Sequence, residues 1–227
     1  MWDLQRELFM KKLLVSILTS LFVASFANAA SIGVTYEFAS VDGSGTEYVV
    51  QDGATPNSNT GTSSKDVDIG SIFIETSTSD WGLRIGAAYV PGGAEFVNKS
   101  STQTNVTSAA SATESKTQIV KGEFENHTTL YAEKDLFSLL YVKAGLTHVD
   151  IKSLESIGTG SAYDDDKVFG YVLGLGLRHQ FDNGIFFKAE ASKNEYDQIK
   201  VVATNSGNYA VGDIDSTSGS FSIGKNF

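Results

Sequence analysis

From Ala30 onward no window of the chain is a long apolar run, yet window after window alternates apolar and polar side chains with a period of two. That is the signature of β-strands with one apolar and one polar face. In the first, Ile32, Val34, Tyr36 and Phe38 oppose Gly33, Thr35, Glu37 and Ala39. A second runs from about Asp66 to Thr78, where Ile72, Phe73 and Ile74 in succession blur the facing and suggest a bulge. The third sets Leu83, Ile85, Ala87 and Tyr89 against Arg84, Gly86 and Ala88. The fourth sets Val120, Phe124, Leu130 and Ala132 against Glu123, Glu125, His127, Thr129, Tyr131 and Glu133, with Asn126 an awkward member of the apolar face.

The fifth places Leu140, Val142, Ala144 and Leu146 opposite Tyr141, Lys143, Gly145 and Thr147. The sixth is the most regular, with Phe169, Tyr171, Leu173, Leu175 and Leu177 opposite Gly170, Val172, Gly174, Gly176 and Arg178. The seventh alternates Ile185, Phe187, Ala189 and Ala191 with Phe186, Lys188, Glu190 and Ser192. In the eighth, Phe221, Ile223 and the terminal Phe227 share a face with Lys225, opposite Ser220, Ser222, Gly224 and Asn226.

The connections alternate in length. Short links fall near Ser79-Asp80, from Asp135 to Ser138, and at Asp182-Asn183-Gly184, whose Asn-Gly suits a tight hairpin. Long links occupy about 41–64, 91–118, 153–167 and 204–212. Short turns on one rim, long loops on the other, and both ends of the strand set on the short side predict an all-β, eight-stranded antiparallel up-and-down transmembrane barrel. Trp81, Phe137, Phe181 and Phe227 all fall near the short-turn rim, where an interfacial girdle would stand. A β-sandwich also alternates. Its polar face has less use for so many charges near strand centres.

Before the barrel, Lys11 and Lys12, the apolar run LLVSILTSLFVASFA and Ala27-Asn28-Ala29 read as a signal peptide cleaved after Ala29. MWDLQRELF does not fit such a segment, so residues 1 to 9 read as a start placed too early. The expected organisation is a 1–29 signal peptide and a 30–227 barrel. The apolar run is shorter than the ~20 residues a helical span needs.

The 227-residue chain carries a formal charge of −10 and no cysteine. This excludes a disulfide framework and thiolate chemistry, and the acidity argues against a nucleic-acid partner. After removal of the leader, length leaves room for one domain.

With strands, turn asymmetry and terminus in place, the chain resembles the small outer-membrane β-barrel families of the opacity-protein and OmpX type, including the barrel domain of OmpA, over essentially all of residues 31–227. In those families the last strand ends in an aromatic residue read by the barrel-assembly machinery. Phe221, Ile223 and Phe227 match that pattern, and Lys225 departs from it, its stem expected to snorkel at the interface. The resemblance implies a place in the outer membrane of a Gram-negative bacterium, with membrane lipid and the assembly machinery as partners. With the strand pattern running to Phe227, a peptidoglycan-binding domain like that of full OmpA-type proteins is not expected.

Eight strands enclose a space roughly filled by side chains. Charges facing it must pair, because an isolated buried charge costs several kcal/mol. A lumenal network is therefore expected in which Arg84, Lys143, Arg178 and Lys188 meet Glu37, Glu123, Glu125, Glu133 and Glu190, with His127 beside them. Catalysis is not expected: His127 and Glu133 lie roughly 20 Å apart along one strand, too far to act together.

Tyr163 to Lys167 reads as a solvated acidic loop rather than a calcium site, and no cofactor or metal is expected. Asn-x-Ser/Thr at Asn98, Asn105 and Asn126 reads as chance. The segment from Asn98 to Gln118, rich in Ser, Thr and Ala, is expected to be a mobile loop. These features point to a structural outer-membrane protein whose long loops contact an extracellular ligand or host surface. A low-conductance channel is the alternative, and a lipid-modifying barrel enzyme a remote one.

Overall fold

The computed structural model describes residues 30–49, 57–78, 81–106, 113–153, 165–203 and 208–227. The expected signal peptide, residues 1–29, and the Ser79-Asp80 link lie outside these residues. All regular structure among them is β: β1 Ala30–Val49, β2 Asn57–Thr78, β3 Leu83–Tyr89, β4 Ala94–Val106, β5 Thr113–Asp135, β6 Leu140–Ser153, β7 Asp166–Gln180, β8 Ile185–Tyr196, β9 Ile199–Val202 and β10 Tyr209–Asn226.

Eight of these close a barrel. The hydrogen-bonded path runs β1-β2-β3-β5-β6-β7-β8-β10 and returns to β1, every pair antiparallel. The closing seam is long, from Ser31 opposite Asn226 to Tyr48 opposite Tyr209, and the Phe227 N–H donates to the Ala30 carbonyl at 3.0 Å. β4 continues the line of β3 and, among the described residues, pairs only with β5; β9 continues β8 and pairs with β10.

The alternation resolves as a lipid-facing wall around a packed interior. Ile32, Val34, Tyr36, Phe38, Leu173, Leu175, Leu177, Phe187, Phe221 and Ile223 are exposed, whereas the intervening positions turn inward and are mostly buried or half-buried. At the short-turn rim stand Trp81, Phe137, Phe181 and Phe227, the most exposed of them Phe227 at 77%. Lys225 reaches down the wall to donate to the Asn183 carbonyl, the snorkelling its position requires. In the turn before β8 only Gly184 adopts positive φ (80°), while the Asn183 side chain accepts from the Ile185 N–H.

Three expectations are corrected. No bulge occurs at Ile72 to Ile74: β2 pairs without a break on both sides, Phe73 turns inward and its two isoleucines face out. The bulge is in β5 instead, between Glu125 and Thr128, where Asn126 takes φ 52°. The long links are also shorter than the pattern suggests. β1 and β2 stay paired up to Val49 opposite Asn57, and Asn98 to Val106 pairs with Thr113 to Lys121 rather than forming a loop, leaving 107–112 outside the described residues.

Four glycines explain how bulky rings fit inside. Phe73 is the register partner of Gly33, Tyr131 of Gly86, Tyr141 of Gly176 and Phe186 of Gly224. Each ring lies across its glycine so closely that an added Cβ would meet it at 2.3 to 2.5 Å. The four pairs occupy alternate strand interfaces, one in each long hairpin.

Candidate functional site

The lower half of the lumen is an ion-pair network built on those rings. Glu133, fully buried on β5, accepts from Arg84 Nε at 3.1 Å and Lys188 Nζ at 2.7 Å. Arg84 grips Asp135 with both terminal nitrogens, at 2.8 and 2.6 Å. Across the lumen, Glu75 of β2 accepts from Arg178 at 2.7 Å, from the Tyr131 hydroxyl at 2.9 Å and from Lys188. Glu75 is essential to the balance because Arg178 and Lys188 are register partners on β7 and β8, two like charges side by side.

A second unit lies beside it. Glu190 accepts from Lys143 Nζ at 2.7 Å and from the Tyr141 hydroxyl at 2.8 Å. Cations also cover the ring faces: Arg178 Cζ stands 3.7 Å from the Phe186 centroid, Lys188 Nζ 4.6 Å from Phe73 and Lys143 Nζ 4.8 Å from Tyr131. Inward Glu37 sits above, beside Ser218. Bonded in this way, buried charges escape the cost of isolation.

His127 also faces the lumen, its Nε2 against the Thr147 hydroxyl and 3.4 Å from that of Tyr196. It is not near Glu133. Above it the interior turns apolar, with Val41, Val149, Ile151, Val168 and Ile214 buried against Val67, Phe124, Tyr196 and Ile199.

Glu123 and Glu125 are not part of this network. The extra residue at the Asn126 bulge reverses the alternation above it, so Phe124 faces the lumen and the two glutamates take the outer face opposite Lys152 and Asp150. Nearby and outside the lipid band, Lys152 donates to Asp165 at 2.6 Å, which raises the lysine pKa above its usual value.

Sequence reasoning missed Glu75, Phe73 and Asp135. For Glu75 the signal was present: once Ile72 and Ile74 are taken as one face, period two places Phe73 and Glu75 on the other. Among the described residues no cluster of three or more potential metal ligands occurs, and no helix is long and apolar enough to cross a membrane. The latter says nothing of strands.

No family model and no curated protein matches the chain. Among solved structures it is similar to the outer membrane protein OprG from Pseudomonas aeruginosa, at 11% identity over 88% of this chain and 97% of that one, with a TM-score of 0.51. It is also similar to Ail, the attachment invasion locus protein of Yersinia pestis, at 13% identity over 88% and 99% of the chains (TM-score 0.41). A third likeness is to the outer membrane protease OmpT from Escherichia coli, at 9% identity over 87% and 97% (TM-score 0.45). At such identities only the fold is shared, and a fold does not name an activity. The closed eight-strand ladder, the exposed apolar wall and the likeness to OprG make this chain a small eight-stranded β-barrel of the bacterial outer-membrane type.

Proposed function

We propose that the protein is a structural outer-membrane barrel, not an enzyme, whose long hairpins meet the cell's surroundings in adhesion, envelope integrity or defence. The observation that carries this reading is the division of labour along the strands. The lumen is filled by the network around Glu75 and Glu133, whereas β1 continues from Phe38 to Val49, about 35 Å further along the strand at its usual rise. A filled barrel has no wide pore, and its outer hairpins are what remains for a partner to touch.

The outer wall carries Asp68 level with Phe38 and Asp42, Asp66, Asp213 and Asp215 above it, with Lys193 the cation beside Asp215. Such a face favours a cationic or neutral ligand over a polyanion. Export with cleavage after Ala29, recognition of Phe221, Ile223 and Phe227 by the assembly machinery, and a girdle of Trp81, Phe137 and Phe181 belong to the same reading.

The test is recording from the refolded protein in planar bilayers, alongside cell-surface binding by a variant shortened at the β1–β2 and β4–β5 hairpins. Electrical silence with loss of surface binding is expected. Frequent discrete openings of the unaltered protein would favour the low-conductance channel instead.

A further inference from the structure

The closing seam ends, at its outer tip, on two tyrosines. Tyr48 and Tyr209 are the last register pair between β1 and β10, and their rings stack with centroids 4.7 Å apart at an interplanar angle of 14°. Such overlap is a property of this pair and not of the seam as a whole, since lower down Phe38 and Phe221 meet at 6.3 Å and 41°. Tyr209 is braced from further sides as well. Its residue also pairs with Val202 of β9, and Lys200 Nζ stands 5.0 Å from its ring centroid.

Both rings lie on the outer face. The seam runs without a register shift, so period two carries the facing of Asp42 on to Tyr48 along β1 and that of Asp213 back to Tyr209 along β10. At the usual strand rise Tyr48 stands about 33 Å beyond Phe38, well above the apolar wall. Both tyrosines are half-buried, so part of each is open to solvent. Other tyrosines are placed differently: Tyr131 and Tyr141 are buried in the lumen, and the phenols of Tyr89 and Tyr171 donate to Asn126 and Glu195 on the wall.

We propose that Tyr48 and Tyr209 are an oxidative crosslinking site, at which hydrogen peroxide and a haem peroxidase acting from outside the cell join the two rings as dityrosine and clasp the first strand to the last. Each phenol gives up one electron and one proton. The two phenoxyl radicals form a carbon–carbon bond between Cε atoms ortho to their hydroxyls; those carbons then lose their hydrogens as protons while protons return to the oxygens, which restores both phenols. The two hydrogens removed overall reduce one peroxide to two waters. Free tyrosyl radicals must meet by diffusion, whereas these partners already overlap. The bond would form at the end of a ladder, where fraying starts. The inference concerns the tip of the seam and holds whatever the hairpins bind.

The folded barrel, isolated as the unboiled gel species in dilute detergent solution, is treated with a haem peroxidase and hydrogen peroxide, and dityrosine is read by its fluorescence. Digestion should yield the peptides of Tyr48 and Tyr209 joined to each other and lighter by two hydrogen atoms. After boiling, the product should run faster than the untreated chain, because residues 48 to 209 now form a closed loop. Tyr209→Phe and Tyr48→Phe keep a stacked ring without its phenol, and each should lower the dityrosine signal by about tenfold, since the proximity of the pair is what speeds coupling. Tyr171→Phe should leave it unchanged. The clasped barrel should also keep its unboiled mobility to a higher temperature. Absence of the joined peptide, joining only between separate chains, or an undiminished signal in Tyr209→Phe would overturn the site; a crosslink that left the heat resistance unchanged would overturn its role as a clasp.

Discussion

Replacing Glu75 with Gln keeps the side chain's size while removing the charge that separates Arg178 from Lys188. The Glu75 side chain is 1% exposed and receives both cations and the Tyr131 hydroxyl. Without its charge, the two register-paired cations share one remaining carboxylate. Glu133 lies 2.7 Å from Lys188 but 4.0 Å from Arg178, so Arg178 is the group left undercompensated. Breaking a buried ion pair in this way costs about 3–5 kcal/mol, and the lower end applies here because Glu133 and the Phe186 face still engage the cations. With a urea slope of about 2 kcal/mol per molar, a loss of about 3 kcal/mol moves the unfolding midpoint down by roughly 1.5 M. Trp81, at the short-turn rim, reports the transition. A second variant, Glu75→Gln with Lys188→Gln, removes the like-charge neighbour as well and should be more stable than the sum of the two single changes. A midpoint shift below about 0.3 M in the single variant, or strict additivity in the double, would refute the reasoning and indicate a lumen wet enough to screen its charges.

Two further outcomes follow from the seam and the ring pairs. Deleting Phe227 removes an exposed ring and the bond to Ala30, and should lower membrane-inserted yield. Deleting Ser100 to Lys116 removes far more chain but only ladder that β4 and β5 share with each other, and should leave yield largely intact; the reverse ranking in matched expression would show that the closing strand is misassigned. Gly176→Ala brings a Cβ within 2.4 Å of the Tyr141 ring and should cost about 1–3 kcal/mol by overpacking, read as a lower urea midpoint. No change would mean that Tyr141 rearranges freely.

Strand number and facing were legible wherever an apolar outer face met lipid, because only there does period two carry a strong contrast. Above the lipid band that contrast disappears. The upper parts of β1, β2, β4 and β5 are rich in Ser, Thr, Gly and charged or amide residues without a regular apolar face, so paired strands read as loops. Arg84, Glu133, Lys143, Arg178, Lys188 and Glu190 were legible as lumenal residues but not as partners, and Glu75, which was missed, bonds groups 103 and 113 positions away, across the barrel rather than along a ladder. Glu123 and Glu125 were misplaced because a single inserted residue inverts every side chain beyond it. Asn126 stood out of pattern in the sequence, and its positive φ is the physical reason.

The irregularities around that bulge share one height. β3 stops at Tyr89, the chain passes Gly92 at φ 112°, the β4–β5 register shifts between Glu95 and Val97, and the Val90 N–H donates to the His127 carbonyl at 2.9 Å. Among the described residues no ladder ties β4 to β2, and the Lys65–Glu95 ion pair at 3.1 Å links them instead. The hairpin above this level is therefore uncoupled in phase from the cylinder below. Insertions, deletions or wholesale replacement there need not propagate a frame change into the lumen. The joint is a natural grafting point, at which surface sequence can diversify while the membrane-embedded half keeps its register.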